Sequence, residues 1–238
     1  MRAPTPTTIL LDVGFTLTFP DHDVMAGHAA AAGLAVSAEA LSRTENTIRR
    51  ELVLFPWAST PSQVPARPRA AGANFFRRML DLSGVAGSGE LLDAAAVSIW
   101  DRHLERNVWR RVGSGVERAL ERLRAAGLRL AVVSNSEGTV EAMLKDVGLA
   151  RYFDAILDSW VVGVAKPDPR IFQLALERVG GRAAEAVMVG DVPSVDVDGA
   201  RAAGVRAILI DPLDLHAGLD VPRTPDLAAF VDALLGPV

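Results

Sequence analysis

Apolar positions change their period along this chain. Thr7-Thr8-Ile9-Leu10-Leu11-Asp12 is a short continuous apolar run closed by a carboxylate. That pattern predicts a buried strand delivering one acid at its C-terminal end. The strand pattern stops at Thr18-Phe19-Pro20. From about residue 21 to 111 apolar residues recur at helical spacing. Ile48, Leu52 and Phe55 form one such series, Phe75, Phe76, Met79 and Leu80 a second, and Val97, Trp100 and Leu104 a third. A loop rich in Pro, Ala and Arg, Pro56 to Pro68, interrupts them. The block reads as an all-helical insert.

Beyond it the pattern alternates. Ser114 is a candidate N-cap with Glu117 at capping-box spacing, Val116, Ala119, Leu120 and Leu123 make one apolar face, and Gly127 is a stop signal. Strands are expected at Leu128–Val133, Ala155–Leu157, Ala186–Val189 and Val205–Ile210. Helices are expected at Glu137–Val147, Asp168–Val179, Ser194–Ala203 and Leu227–Leu235. Asp168 caps the second of these, with Pro169 in its first turn and Gly180-Gly181 at its end. Strands alternating with helices of about ten residues predict βαβ units and an α/β, doubly wound parallel sheet. Residues 1–19 and 112–238 would form that core, with 20–111 inserted as a helical domain. Ligands of such sheets bind beyond the C-terminal strand ends, where the strand order reverses.

Composition narrows the function classes. Half of the 238 residues are apolar, enough for a sizeable core. A net charge of −4 with no basic stripe argues against nucleic acid as a partner. No apolar stretch approaches a membrane span, and the run before Asp12 is too short for a secretory segment. The absence of cysteine excludes disulfides and thiol chemistry and fits a cytoplasmic protein. Of 25 basic residues only Lys145 and Lys166 are lysine, so a lysine in a motif stands out against the arginine bias.

Four segments then place polar groups at the expected ligand edge. They are Asp12; Ser134-Asn135 after Val132-Val133; Lys166 in Lys166-Pro167-Asp168-Pro169; and Gly190-Asp191 followed by Asp196. Two carboxylates, a hydroxyl, backbone amides and one ammonium suit phosphoryl transfer. An Asp can attack phosphorus, and Mg²⁺ takes few protein carboxylates while neutralising phosphate charge. Ser, amide and Lys donors would hold the equatorial oxygens.

The ordered set Asp-x-x-x-Thr-Leu, Ser-Asn, Lys-Pro-x-Pro and Gly-Asp-x-x-x-x-Asp resembles the haloacid dehalogenase-like hydrolases, over nearly the whole chain. The resemblance implies a Rossmann-like core with a helical cap after the first motif, which residues 20–111 match in position. It implies that Asp12 is the nucleophile and a Mg²⁺ ligand, and that Asp191 is a second ligand. Ser134 and the Asn135 amide would bind phosphate, with Lys166 balancing charge on Asp12 and phosphate. Asp196 and Thr16 would support the site from behind. A small phosphorylated metabolite is the implied substrate. The cap would select it; Arg67, Arg69, Arg77 and Arg78 read as surface residues, and Trp57, Trp100 and Trp109 as cap core.

One position departs from the family's phosphatases. They carry a second Asp two residues after the first, which protonates the leaving oxygen and then activates water; here it is Gly14. The Gly14 carbonyl can still face a metal, but the proton donor is gone, a loss of about 10²–10⁴-fold. A good leaving group suffers less in the first step. Haloacid dehalogenases also lack that Asp, but they lack the Gly-Asp that stands here at Gly190-Asp191. Phosphonatases need a cap lysine, and residues 18–111 contain none. A phosphatase is therefore the expectation, with a carbon–halogen hydrolase and a catalytically silent phosphate-binding protein as alternatives. Asp21, His22 and Asp23 follow the first motif, and His22 is the candidate replacement acid/base on pKa grounds.

Overall fold

The computed structural model describes residues 5–54 and 69–237. Phe55, Trp57, Arg67 and the Pro56–Pro68 loop lie outside the described residues, as do the side chains of Leu52 and Arg69. The described residues form two compact units, one of residues 5–19 with 112–237 and one of residues 20–54 with 69–111.

The strands are β1 (Thr8–Leu11), β2 (Thr18–Phe19), β3 (Arg111–Val112), β4 (Arg129–Ser134), β5 (Ala155–Asp158), β6 (Ala186–Gly190), β7 (Arg206–Ile210) and β8 (Arg223–Thr224). Six of them make one parallel sheet in the order β5-β4-β1-β6-β7-β8. The fold is therefore α/β with a Rossmann-like, doubly wound core. All four residues of β1 are buried because both its faces carry helices. Ile9 and Leu11 pack with Leu120, Leu123, Met143 and Phe230 on one side. Leu10 packs with Ile171, Phe172 and Ala200 on the other, as the two-residue period of a strand requires.

The chain winds outward from β1 through β4 to β5, returns to β6 beside β1, and winds outward again. The strand order reverses at β1, so its C-terminal end opens the crevice where such sheets take ligands. Register sets Leu11 level with Val132 of β4 and Val189 of β6. The loops leaving all three strands thus open along one edge of the sheet.

Three local expectations are corrected. Ser114 does not cap the helix Val116–Ala125; Gly115 holds that position at φ 73, with no side-chain cap bond. That left-handed conformation suits glycine, and it displaces Ser114 one residue too early. The helix expected from Glu137 begins only at Val140, because residues 136–140 are tied as a loop to the end of β5. The stretch expected as one helix from Ser194 is a π-helical turn, Pro193–Val197, followed by a short α-helix, Asp198–Ala202.

The second unit is helical: His22–Ala31, Ala38–Ser42, Glu45–Leu54, Arg69–Leu82 and Gly89–Glu105. Asp21, Ser37 and Ser88 cap three of these by accepting from Val24, Ala40 and Leu91 N–H groups. Met25, Ile48, Phe76, Met79, Ile99 and Trp100 are buried. The Trp100 and His103 rings stack 5.2 Å apart, and Trp109 lies 5.3 Å from Phe75. Arg77 is paired with Asp81 and Asp93, and Arg78 holds Glu51 through two bonds of 2.7 and 2.6 Å. Among the described residues no helix is long and apolar enough to cross a membrane.

Candidate active site

Asp12 is the first residue past β1, and its N–H still donates to the Val189 carbonyl of β6 at 3.0 Å. The chain then turns sharply. The Val13 carbonyl accepts from Leu17 and Thr18 at 2.8 and 2.9 Å, and Phe15 takes a positive φ of 52°. Gly14 lies inside this turn and bridges to Thr18. Thr16 is buried, and its hydroxyl has no hydrogen-bond partner among the described residues.

Lys166 meets Asp12 from 154 residues away. Its Nζ donates to Asp12 Oδ1 and to Asp196 Oδ1, each at 2.6 Å. The lysine is 1% exposed and Asp196 1%, so this is a desolvated triad rather than a surface ion pair. Two loops hold it in place. Asn135 Oδ1 accepts from the Lys166 main-chain N–H at 2.8 Å, and Asn135 Nδ2 donates to the Lys166 carbonyl at 2.9 Å. The Asn135 side chain is thereby committed to positioning Lys166. On the other side the π-helical turn aims Asp196 back at β6, and Asp196 Oδ2 accepts from the Val192 N–H at 2.9 Å. The carboxyl lies against the Gly190 Cα, where a Cβ would stand 2.4 Å from Asp196 Cγ. Only glycine allows that approach. Lys166-Pro167 is a cis peptide bond.

One carboxylate oxygen each from Asp12, Asp191 and Asp196 lies within 4.8 Å of the others. When ionised, three carboxylates and one ammonium leave a net charge of −2. Burial pushes the Asp12 carboxyl up to about 6; the Lys166 ammonium pulls it down and Asp196 pushes it up again. Burial alone would lower Lys166, but the Asp12 and Asp196 carboxylates outweigh it and hold the ammonium above its ordinary range. The protonated lysine is therefore fixed, and the excess negative charge falls on the carboxylates. An all-oxygen donor set with that excess could hold a hard divalent cation such as Mg²⁺.

Ser134 ends β4, buried, at the edge that carries Asp12. Asp12, Gly14, Thr16, Ser134, Asn135, Lys166, Asp191 and Asp196 thus all sit in the α/β unit. His22 belongs to the helical unit. There its ring is 7% exposed, with Nε2 3.6 Å from Glu45, which is itself bound by Arg111. Burial and Arg111 lower its pKa.

Two residues at the end of β5 have no counterpart among the sequence candidates. The Asp158 carboxylate accepts from the Gly138 N–H at 3.0 and 2.9 Å, from Val140 at 3.3 Å and from Trp160 at 3.0 Å. Ser159 Oγ accepts from the Ser136 N–H at 3.1 Å and donates to the Ser136 carbonyl at 3.2 Å. The signal was there to find: Asp158 closes an apolar strand as Asp12 does.

The family model for haloacid dehalogenase-like hydrolases matches residues 6–204, and the chain belongs to that family of hydrolases. Among curated relatives, the phosphoserine phosphatase of Thermus thermophilus is 44% identical over 116 residues, 47% of this chain and 46% of the other. A phosphoglycolate phosphatase of Cupriavidus necator is 34% identical over 165 residues, 68% and 69% of the two chains. Among solved structures, the 2-haloacid dehalogenase of Pseudomonas syringae superposes with a TM-score of 0.57 at 26% identity, covering 96% of this chain and 98% of that one. The chain spans about half the length of the first curated relatives it matches.

Proposed function

We propose that this protein is a Mg²⁺-dependent phosphatase of small phosphate esters, acting through an aspartyl-phosphate on Asp12. The observation that carries the reading is the cluster of Asp12, half-buried Asp191 and Asp196, in which Lys166 pairs with Asp12 and Asp196. A carbon-directed hydrolase has no use for a third carboxylate there, whereas a divalent cation would offset the cluster's excess negative charge and let an anionic phosphate approach. Similarity to phosphatases of small phosphorylated acids supports the substrate class.

Asp12 and Asp191, with the Gly14 carbonyl, would hold Mg²⁺, whose chemistry there is neutralisation of phosphate charge. Asp12, aligned by Lys166, attacks phosphorus, and the leaving oxygen departs. The Ser134 hydroxyl and the Asn135 main-chain N–H hold the equatorial oxygens, and Lys166 balances the charge that gathers on them. Asp196 holds Lys166 from behind. At Gly14 there is no side chain to pass a proton to the leaving oxygen. Acyl and aryl phosphates, whose leaving groups need little protonation, are therefore the favoured substrates, and breakdown of the aspartyl-phosphate is the slow step.

The test is phosphate release from p-nitrophenyl phosphate and an acyl phosphate, with Mg²⁺ and with EDTA. Native protein, Asp12→Asn and Gly14→Asp are compared. Expected are metal-dependent turnover, its loss in Asp12→Asn, and a rise of about 10²-fold in Gly14→Asp. Activity only in Gly14→Asp supports the second reading that Gly14 favours, a silenced phosphate-binding scaffold. Silence in all three, with EDTA-insensitive halide release from short haloacids, overturns the phosphatase reading.

A further inference from the structure

Ser134 closes β4, and the loop that follows it, Asn135-Ser136-Glu137-Gly138-Thr139, carries the other group assigned to phosphate but has no regular structure to fix it before the helix Val140–Asp146 begins. Its backbone is instead held by Asp158, the last residue of β5, and by Ser159, which follows it. Asp158 takes the Gly138 and Val140 N–H groups, and Ser159 takes both the N–H and the carbonyl of Ser136. Both side chains are buried, at 4% and 0% exposure, so these bonds face little competition from water. Ser134 stands in register with Asp158, which puts the clamp beside the strand end from which the loop leaves.

We propose that Asp158 and Ser159 are positioning residues for the phosphate-binding loop: they preset its backbone so that Ser134 and the Asn135 N–H meet the anion without reorganisation. The inference rests on the phosphatase reading for its ligand, though its geometry stands without it. A carboxylate is required at 158 because both oxygens face N–H donors. An amide there turns one of its own donors onto an N–H, either on the loop or on Trp160. The same clamp acts at a distance on Lys166, because Asn135, the residue between Ser134 and Ser136, holds the Lys166 backbone.

The experiment compares native protein with Asp158→Asn and the milder Ser159→Ala, in three readouts. These are kcat and KM for p-nitrophenyl phosphate, calorimetric binding of inorganic phosphate with Mg²⁺, and amide hydrogen exchange. Expected are faster exchange confined to residues 136–140, a rise of about tenfold in both KM and the phosphate Kd, and kcat changed far less. If native protein binds phosphate without turning over, and the variants weaken that binding, the phosphatase reading fails and this one stands. If native turns over and the variants exchange faster with unchanged KM and Kd, the clamp is structural only and the inference is overturned. Native protein that neither binds phosphate nor turns over overturns both. Should Asp158→Asn not fold, Ser159→Ala decides alone.

Discussion

Replacing Lys166 by Met removes an ammonium that sits 2.6 Å from two buried carboxylates and leaves its methylene stem nearly intact. Buried Asp12 and Asp196 would then lie beside half-buried Asp191 without the ammonium that compensates them. Breaking one side of a buried ion pair costs about 3–5 kcal/mol, which for a chain of this size lowers Tm by about 10 °C. The loss depends on pH, and the sign follows from linkage. Without Lys166 the folded-state pKa of Asp12, already raised by burial, rises further above its unfolded value. The folded variant then binds protons that the unfolded chain does not, so its stability falls as pH rises through that window. Urea unfolding in EDTA at about pH 5 and about pH 8 measures this. The deficit against native protein is expected to be larger at the higher pH, and adding Asp196→Asn to Lys166→Met should recover part of it. A deficit below about 1 kcal/mol, or one equal at both pH values, would refute the claim that Lys166 neutralises this cluster.

Two further outcomes follow from the same cluster. Asp12 is raised from the ordinary 3.8 to about 6, so in metal-free protein it withdraws about 3 kcal/mol of stability as pH rises across that interval. Mg²⁺ competes with that proton, so the Tm gain from saturating Mg²⁺ should be larger at about pH 8 than at about pH 5; equal gains would show that the cation does not engage Asp12. Gly190→Ala drives a methyl into Asp196 and should cost about 1–3 kcal/mol, together with much of the activity; a neutral variant would mean that Asp196 is not pinned against β6.

The strands were legible because burial on both faces writes a local apolar run, and β1 at Thr8–Leu11 follows its run closely. Asp168 as a cap was legible for the same reason: it bonds an N–H only two residues on. The order of the motifs named the family before any contact was known. Ser114 was misread because a left-handed glycine can take a cap position that composition assigns to serine. Asp158 and Ser159 went unseen because their partners, some twenty residues away, are backbone groups, which no side-chain pattern marks.

By itself, then, the sequence determined the α/β class, the helical insert and the candidates Asp12, Ser134, Lys166 and Asp191. These are matters of period, punctuation and residue type within a few positions. Only the tertiary structure decided how the candidates are used. It spent the Asn135 side chain on the Lys166 backbone, turned a helix start into the π-helical turn that delivers Asp196, and brought Lys166 to Asp12 across 154 residues. Such contacts depend on strand register and on which loops leave the sheet at one edge, and those are set by long-range packing that no local pattern encodes.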